Sequence, residues 1–318
     1  MRVLMLVQDQ QRANLDFLYQ EIGKHCELDL RRLSSSEQAD LEGYFRQIEV
    51  AHYERILFFL RFKKEIRQLP FIRTVPNLVI LEHDAFQNYY PSSKYQGKFS
   101  RHYRALPWAR VIVSGYGISR KLQAEGFDAC FVSKGYDDSV LRNLQLQRDI
   151  EFAFVGSLKN SLYVKRKEML EEAQKRFDLT ITRTNSGEEY LQTLNRVRFF
   201  MSCDYGFGEY MLKNFEAMAC GCVLFTWDQG AEENQALGFK DMENVVLYKT
   251  LDEVETKLAQ LRGNPALADS IARAGQQLAE SQYGFSQVAK RIVQQMQAPL
   301  REKQAASKWD KLRYFFYR

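Results

Sequence analysis

Glu209, Lys213 and Glu216 stand at i, i+4 and i+7 in the run EYMLKNFEAMAC. On a helix this spacing predicts one polar stripe, with Met211, Phe215 and Met218 on another face. Two chemistries fit it. One is a solvated Glu–Lys–Glu face, which steadies a helix by roughly 0.2–0.5 kcal/mol per pair. The other draws on the preceding loop, DYGFGE, whose glycines let backbone approach a ligand while the helix N-terminus offers N–H groups to an anion. A carboxylate two turns along then accepts hydrogen bonds from vicinal hydroxyls, as ribose recognition requires. Gly208 and Tyr210 flank Glu209 at this helix start and are counted with it as ligand-binding candidates.

Other residues with chemical potential fall at the ends of apolar runs. In FAFVGSLKNSLYVKRKEML, Gly156 and Ser157 close a strand-like run, and Lys159, Lys165 and Arg166 come after them. In LEHDAFQNYY, His83 and Asp84 end another apolar strand, the place where ligands gather in parallel sheets. A buried, satisfied strand-end pair is the equal alternative. From Ala85 to Arg110 there is no acid, whereas Lys94, Lys98, Arg101, Arg104 and Arg110 alternate with Tyr89, Tyr90, Tyr95, Phe99 and Tyr103. Such a segment suits an acidic or phosphorylated ligand, or is a solvated loop; LFFLRFKKEIRQLPF (57–71) is a second basic–aromatic stretch.

The elements that must position these residues alternate. RVLMLV, LDLRRL, RILFFL, NLVILEHD, ARVIVSG and ACFVSKG read as strands, with helical patterns from Asn14 to Lys24, near 36–50 and in ISRKLQAEG. A polar stretch, DDSVLRNLQLQRD, precedes a second series. In that series FAFVG, LTITRT, RFFMSC, CVLFTW and NVVLYKT are strands, and helices are expected at 165–176, 188–196, in YMLKNFEAMAC and through most of 251–297. Strand–helix alternation in two successive halves predicts two Rossmann-like α/β domains facing across a cleft. The expected boundaries are 1–145 for the first domain, 150–290 for the second and 291–318 for a terminal helix with a basic–aromatic tail.

Composition narrows the class. The 318 residues are 45% hydrophobic and 27% charged, which excludes a disordered chain. The formal charge is only +5, and residues 301–318 hold six Lys/Arg against two Asp/Glu. No apolar run reaches the roughly 20 residues of a membrane span, and the start is too short for a secretory signal. Cys26, Cys130, Cys203, Cys220 and Cys222 are odd in number and scattered, so reduced thiols and a cytoplasmic setting are expected. No two aspartates lie two apart and no His/Cys cluster has zinc spacing, so a metal-independent site is expected. The basic segments match no nucleic-acid module. In the tail, Lys308, Lys311, Arg313 and Arg318 are mixed with Trp309, Tyr314, Phe315, Phe316 and Tyr317. That pattern suits either an anionic membrane surface or docking on the first domain.

The stretch LKNFEAMACGCVLFTWDQG, together with the later ENVVLYKTLDEVETKLAQLRGNPALADSIARAGQQLA, resembles the donor domain of GT-B glycosyltransferases, of the group-1, family 4-like kind and closest to the CgeB-like branch. The resemblance covers about 152–290; the first half is similar in architecture alone. It implies a metal-independent, retaining transferase with no further cofactor. Such an enzyme moves a sugar from a nucleoside-diphosphate donor to a glycan or lipid-linked acceptor of cell-surface polysaccharide or lipopolysaccharide type. Glu216 then looks like the ribose-binding glutamate. Lys213 stands where the branch has Arg, and Arg166 matches the basic residue set against the donor diphosphate. Gly208 holds the position of the relatives' earlier glutamate, with Glu209 one residue late. His83 is then a contact for donor sugar or acceptor, and Asp84 a base if the reaction inverts. Nucleotide-sugar 2-epimerases and non-catalytic nucleotide-sugar-binding scaffolds share the architecture and stand as alternatives.

Overall fold

The structure, a computed structural model, describes residues 1–10, 15–158 and 164–303. They form two compact units. The first comprises Met1–Ser114, Ile118–Val132 and the described residues from Ala289; the second comprises Gly115–Gly117 and Ser133–Val288.

In the first unit six strands, β1 (Arg2–Gln8), β2 (Glu27–Leu33), β3 (Arg55–Phe59), β4 (Leu78–Glu82), β5 (Arg110–Val113) and β6 (Asp128–Phe131), form one sheet. Its order is β2-β1-β3-β4-β5-β6 and every pairing is parallel. Near-continuous apolar runs such as Val3–Val7 and Leu78–Leu81 are what a sheet covered on both faces demands, and those residues are buried. The helix expected near 36–50 is broken into a 3-10 turn at Glu37–Ala39 and a short helix at Leu41–Phe45. Local side chains divert the backbone: Glu37 accepts from the Ser34 N–H, and Asp40 caps the second piece through the Gly43 N–H.

The second unit repeats the plan with β7 (Ile150–Val155), β8 (Thr180–Thr182), β9 (Val197–Ser202), β10 (Val223–Trp227) and β11 (Val246–Tyr248). The parallel order is β11-β10-β9-β7-β8, around a core that includes Phe152, Phe154, Phe199 and Phe225. Strand order reverses between β7 and β9. In such sheets the crevice for ligands opens beyond the carboxyl ends of the strands at that reversal.

The terminal helix Phe285–Gln297 ends in the first unit, where two arginines take its last carbonyls. Arg55 donates to Met296 O at 2.6 Å, and Arg110 to Gln295 O at 2.7 Å and Pro299 O at 2.8 Å while ion-paired with Asp128. Guanidinium groups satisfy carbonyls that a helix end leaves without intrahelical partners. The basic and aromatic tail residues from Lys308 to Arg318, and Lys159, lie outside the described residues.

Candidate functional site

At the β7–β9 reversal the sequence places Gly156 immediately after β7. Its N–H donates to Thr182 O at 2.9 Å, continuing the ladder. A Cβ built on Gly156 would lie 2.7 Å from Lys213 Cε and 3.2 Å from its Nζ. A side chain at this position would push the ammonium away from the strand end. Lys213 comes from the second position of the helix Leu212–Ala219. Its Nζ lies 4.9 Å from the Tyr190 ring centroid and 3.5 Å from the Tyr190 hydroxyl. That hydroxyl in turn donates to Glu216 Oε2 at 2.5 Å. Among the described residues Lys213 has no carboxylate within ion-pair distance, and the other oxygen of Glu216 receives no hydrogen bond. Burial holds the Lys213 ammonium below its usual pKa; nearby Glu216 and Asp204 oppose this, while Arg166 and Arg183 reinforce it.

Arg166 is treated differently. It sits on the helix Val164–Phe177, 6% exposed, and donates to Cys203 O at 2.8 Å and to Asp204 Oδ1 at 2.5 Å. Asp204 is equally buried and was not singled out by sequence. Its Oδ2 accepts from Asn214 Nδ2 at 2.7 Å and the Met211 N–H at 3.2 Å, and its carbonyl accepts from Gln229 Nε2 at 2.8 Å. Asp204 therefore ties the end of β9 to the start of the next helix. The guanidinium nominated for an anion is already matched by an internal one.

The polar stripe expected from Glu209 to Glu216 is not formed as such. The helix begins only at Leu212, because residues 204–211 are a loop in which Gly206 and Gly208 take φ of 73° and 68°. The Gly208 N–H donates to Gln229 Oε1 at 3.0 Å. Glu209 turns inward, 1% exposed, and pairs with Lys134 at 2.8 Å. Tyr210 is also buried, its hydroxyl bonded to Asn234 and accepting from the Gln229 N–H. Ser157, beside Gly156, is half-buried.

Close to Glu209 in the same unit is a residue that sequence reasoning missed. Glu233, on the helix Ala231–Leu237, is 3% exposed. Its Oε2 accepts from the Gly117 N–H at 2.9 Å, while Oε1 has no partner among the described residues. Burial, with Glu209 adding to it, pushes the carboxyl up to about 7, against the pull of the Gly117 and Tyr116 N–H groups and Lys134. Its only sequence signal was its place just after Gly230, at a strand-to-helix turn.

His83 and Asp84 belong to the other unit, at the carboxyl end of β4. His83 is half-buried and meets the Phe59 ring edge-on at 5.0 Å; Asp84 is exposed, and its N–H donates to Glu82 Oε1 at 2.7 Å. The basic–aromatic segment beyond them is no solvated loop. It contains the helix Lys98–Arg104, and Phe99 and Tyr103 are core residues at 0% and 2% exposure, so those rings are unavailable to a ligand. In 57–71 the aromatics Phe58, Phe59 and Phe62 are likewise buried. The described residues hold no group of three or more His, Cys, Asp or Glu that could bind a metal ion.

Residues 139–294 match the family model described as glycosyl transferase-like. The fold is similar to that of HepE from Anabaena, solved with UDP and glucose, at a TM-score of 0.69 and 13% identity over 94% of this chain and 100% of that one. The HepE complex with UDP-glucose gives 0.69 and 13% over 92% and 98%. A glycosyltransferase from Rickettsia africae gives 0.57 and 10% over 93% and 97%. No functionally curated protein matches. The chain thus has the GT-B fold, and its residues 139–294 are similar to the glycosyl transferase-like family.

Proposed function

We propose that the protein is a metal-independent glycosyltransferase using a nucleoside-diphosphate sugar, with a UDP-hexose as donor. The observation that carries this reading is the Lys213 ammonium, desolvated beside Gly156 at the sheet reversal without a carboxylate partner among the described residues. A half-buried ammonium so placed, bonded to the Tyr190 hydroxyl and without a carboxylate partner among the described residues, suits an anionic ligand. A diphosphate supplies it, and charge gathers there as the sugar–phosphate bond breaks. Similarity to HepE, solved with UDP and with UDP-glucose, supports the choice of nucleotide and hexose.

In this reading the second oxygen of Glu216 takes the ribose hydroxyls, with Oε2 held by Tyr190. Gly156 and Ser157 bring backbone to the diphosphate. Arg166 becomes a positioning residue through Asp204, and Glu209, Gly208 and Tyr210 shape the loop beside the sugar. The bond from the anomeric carbon to the diphosphate oxygen breaks and one to an acceptor hydroxyl oxygen forms. The hydroxyl proton leaves with the nucleoside diphosphate. The resemblance to family 4 and its CgeB-like neighbours supports retention of configuration. It also supports a glycan or lipid-linked acceptor of the cell-surface polysaccharide or lipopolysaccharide kind, met on the cytoplasmic side of a membrane. No described helix is long and apolar enough to cross one. His83 and Asp84 are assigned to the acceptor.

The test is UDP binding and UDP-glucose turnover, each with and without EDTA, for wild type and Glu216→Ala. We expect chelator-resistant turnover, and a Glu216→Ala protein that melts normally but binds UDP at least tenfold more weakly. Wild-type UDP affinity in that variant would overturn the site. UDP binding without turnover against any acceptor would favour a scaffold, and loss of turnover in EDTA restored by manganese would overturn metal independence.

A further inference from the structure

The first unit carries a hollow of about 550 Å³ that the donor chemistry does not use, lined by Phe45, Val50, Pro70, Phe71, Val75 and Pro76. Phe71 is only half-buried although it meets the buried Phe45 ring at 5.1 Å, so its outer face is uncovered. Glu42 and Arg46 stand at the rim, exposed and without an ion pair among the described residues.

The chain itself arrives at this hollow. Beyond the terminal helix, Arg301 donates to Gly126 O at 2.7 Å, and the Lys303 ammonium lies 4.9 Å from the Trp108 ring centroid. The Trp108 indole N–H donates to Val75 O at 3.3 Å, and Val75 is part of the lining. Arg73, just before Val75 in the chain, is close enough to Lys303 to help burial depress that ammonium's pKa. The described chain therefore ends one side chain away from the hollow. From 306 the sequence continues as ASKWDKLRYFFYR, with five aromatic residues and four Lys/Arg in thirteen. At roughly 3.3–3.6 Å per residue, six residues carry Trp309 as far as about 20 Å from Lys303.

We propose that segment 304–318 docks on the first unit by placing aromatic side chains in the Phe45–Phe71–Val75 hollow, with its basic residues toward Glu42 and Asp310 toward Arg46. Aromatic residues bury large apolar area with few torsions to fix, and uncovered apolar lining next to an aromatic-rich segment of the same chain gives that burial at high effective concentration. This proposal is independent of the donor assignment.

The test uses the full chain with a benzophenone side chain in place of Phe316, irradiated with and without vesicles of phosphatidylserine and phosphatidylcholine. The expected cross-links fall on peptides containing residues 41–52 or 69–76, form without vesicles, and drop at least fivefold in Phe71→Glu. A chain ending at Ala305 is expected to lose amide-exchange protection at Leu69–Val75. If that shortened chain does not fold, the full chain carrying Trp309→Ser, Phe315→Ser and Phe316→Ser takes its place. Cross-links confined to lipid would overturn docking in favour of a membrane surface. Cross-links elsewhere on the chain, or exchange identical with and without the aromatic residues, would overturn it outright.

Discussion

The two units share a plan, yet they handle buried charge differently. In the first, two buried pairs are closed: His102 Nε2 lies 2.7 Å from Glu65, although its Nδ1 has no hydrogen-bond partner among the described residues, and Arg110 binds Asp128 together with the carbonyls ending the last helix. In the second, two such pairs, Arg166–Asp204 and Lys134–Glu209, stand beside groups left incomplete among the described residues: Lys213 without a carboxylate and Glu233 with one oxygen unpartnered. A satisfied pair is architecture, because breaking it strands a charge. A charge partly withdrawn from water without an opposite partner is costly, and under the proposed function a ligand supplies the partner that Lys213 lacks. The distinction separates two cations that the sequence had placed in one role.

The sharpest break of this comparison is at the satisfied pair. Asp204→Ala leaves the Arg166 guanidinium buried and unpaired and frees the Asn214 and Met211 donors. We expect a loss of about 3–5 kcal/mol in stability, seen as a large fall in the urea midpoint. A variant melting within a degree of wild type would show that Arg166 can turn to solvent or ligand, returning it to the diphosphate.

The incomplete cation should behave oppositely. Lys213→Met is expected to keep or gain stability, since it removes a desolvated charge, while UDP affinity falls roughly tenfold to a hundredfold, the worth of a charged hydrogen bond. The sign of its pH dependence is set by the same burial. The ammonium is held below its usual pKa, so raising pH discharges it earlier than a free lysine, and diphosphate binding must then take up a proton. UDP affinity should therefore decline on the alkaline side in wild type and stay flat in Lys213→Arg, whose charge persists. A parallel decline in both would remove Lys213 from the diphosphate.

Glu233 gives a smaller effect. Its carboxyl is raised to about 7, so the folded protein holds a proton there that the unfolded chain releases near 4.5. The resulting stabilisation is full below about 4.5 and is lost as pH rises through 7. Glu233→Gln keeps an acceptor for the Gly117 N–H and removes the titration. It should therefore exceed wild-type stability by about 3 kcal/mol at pH 8 and come close to it near pH 4.5. A pH-independent difference would mean that the carboxyl stays charged throughout.

Sequence conveyed what is local. The strands were legible because sheets covered on both faces need unbroken apolar runs, and Val3–Val7 or Phe199–Met201 can be little else. Gly221 announced the end of the Leu212–Ala219 helix, and it takes a φ of 76° there. Helical spacing failed at Glu209, since periodicity cannot show that Asp204 captures the Met211 N–H and delays the helix start. The missed contacts are long-range: Arg166 and its partner Asp204 are 38 positions apart, Gly117 and Glu233 116. In 85–110, read as either a ligand-binding stretch or a solvated loop, Tyr90, Phe99 and Tyr103 are core, because composition does not say which rings are covered.

The mildest prediction tests the other side of the comparison. Asp84 is exposed at the carboxyl end of β4, where its backbone N–H donates to Glu82. Removing an exposed carboxylate changes stability by roughly 0.5 kcal/mol or less, so Asp84→Ala should fold and melt like wild type. UDP affinity should also be unchanged, because the diphosphate and ribose are assigned to Lys213 and Glu216 of the second unit. If Asp84 serves the acceptor, the variant raises the acceptor KM severalfold and leaves kcat near wild type, as loss of uniform binding does. A fall in kcat with unchanged KM would instead make Asp84 a base in the transfer step and point to inversion. A fall in UDP affinity would break the comparison itself, since the donor would then depend on an exposed carboxylate of the first unit.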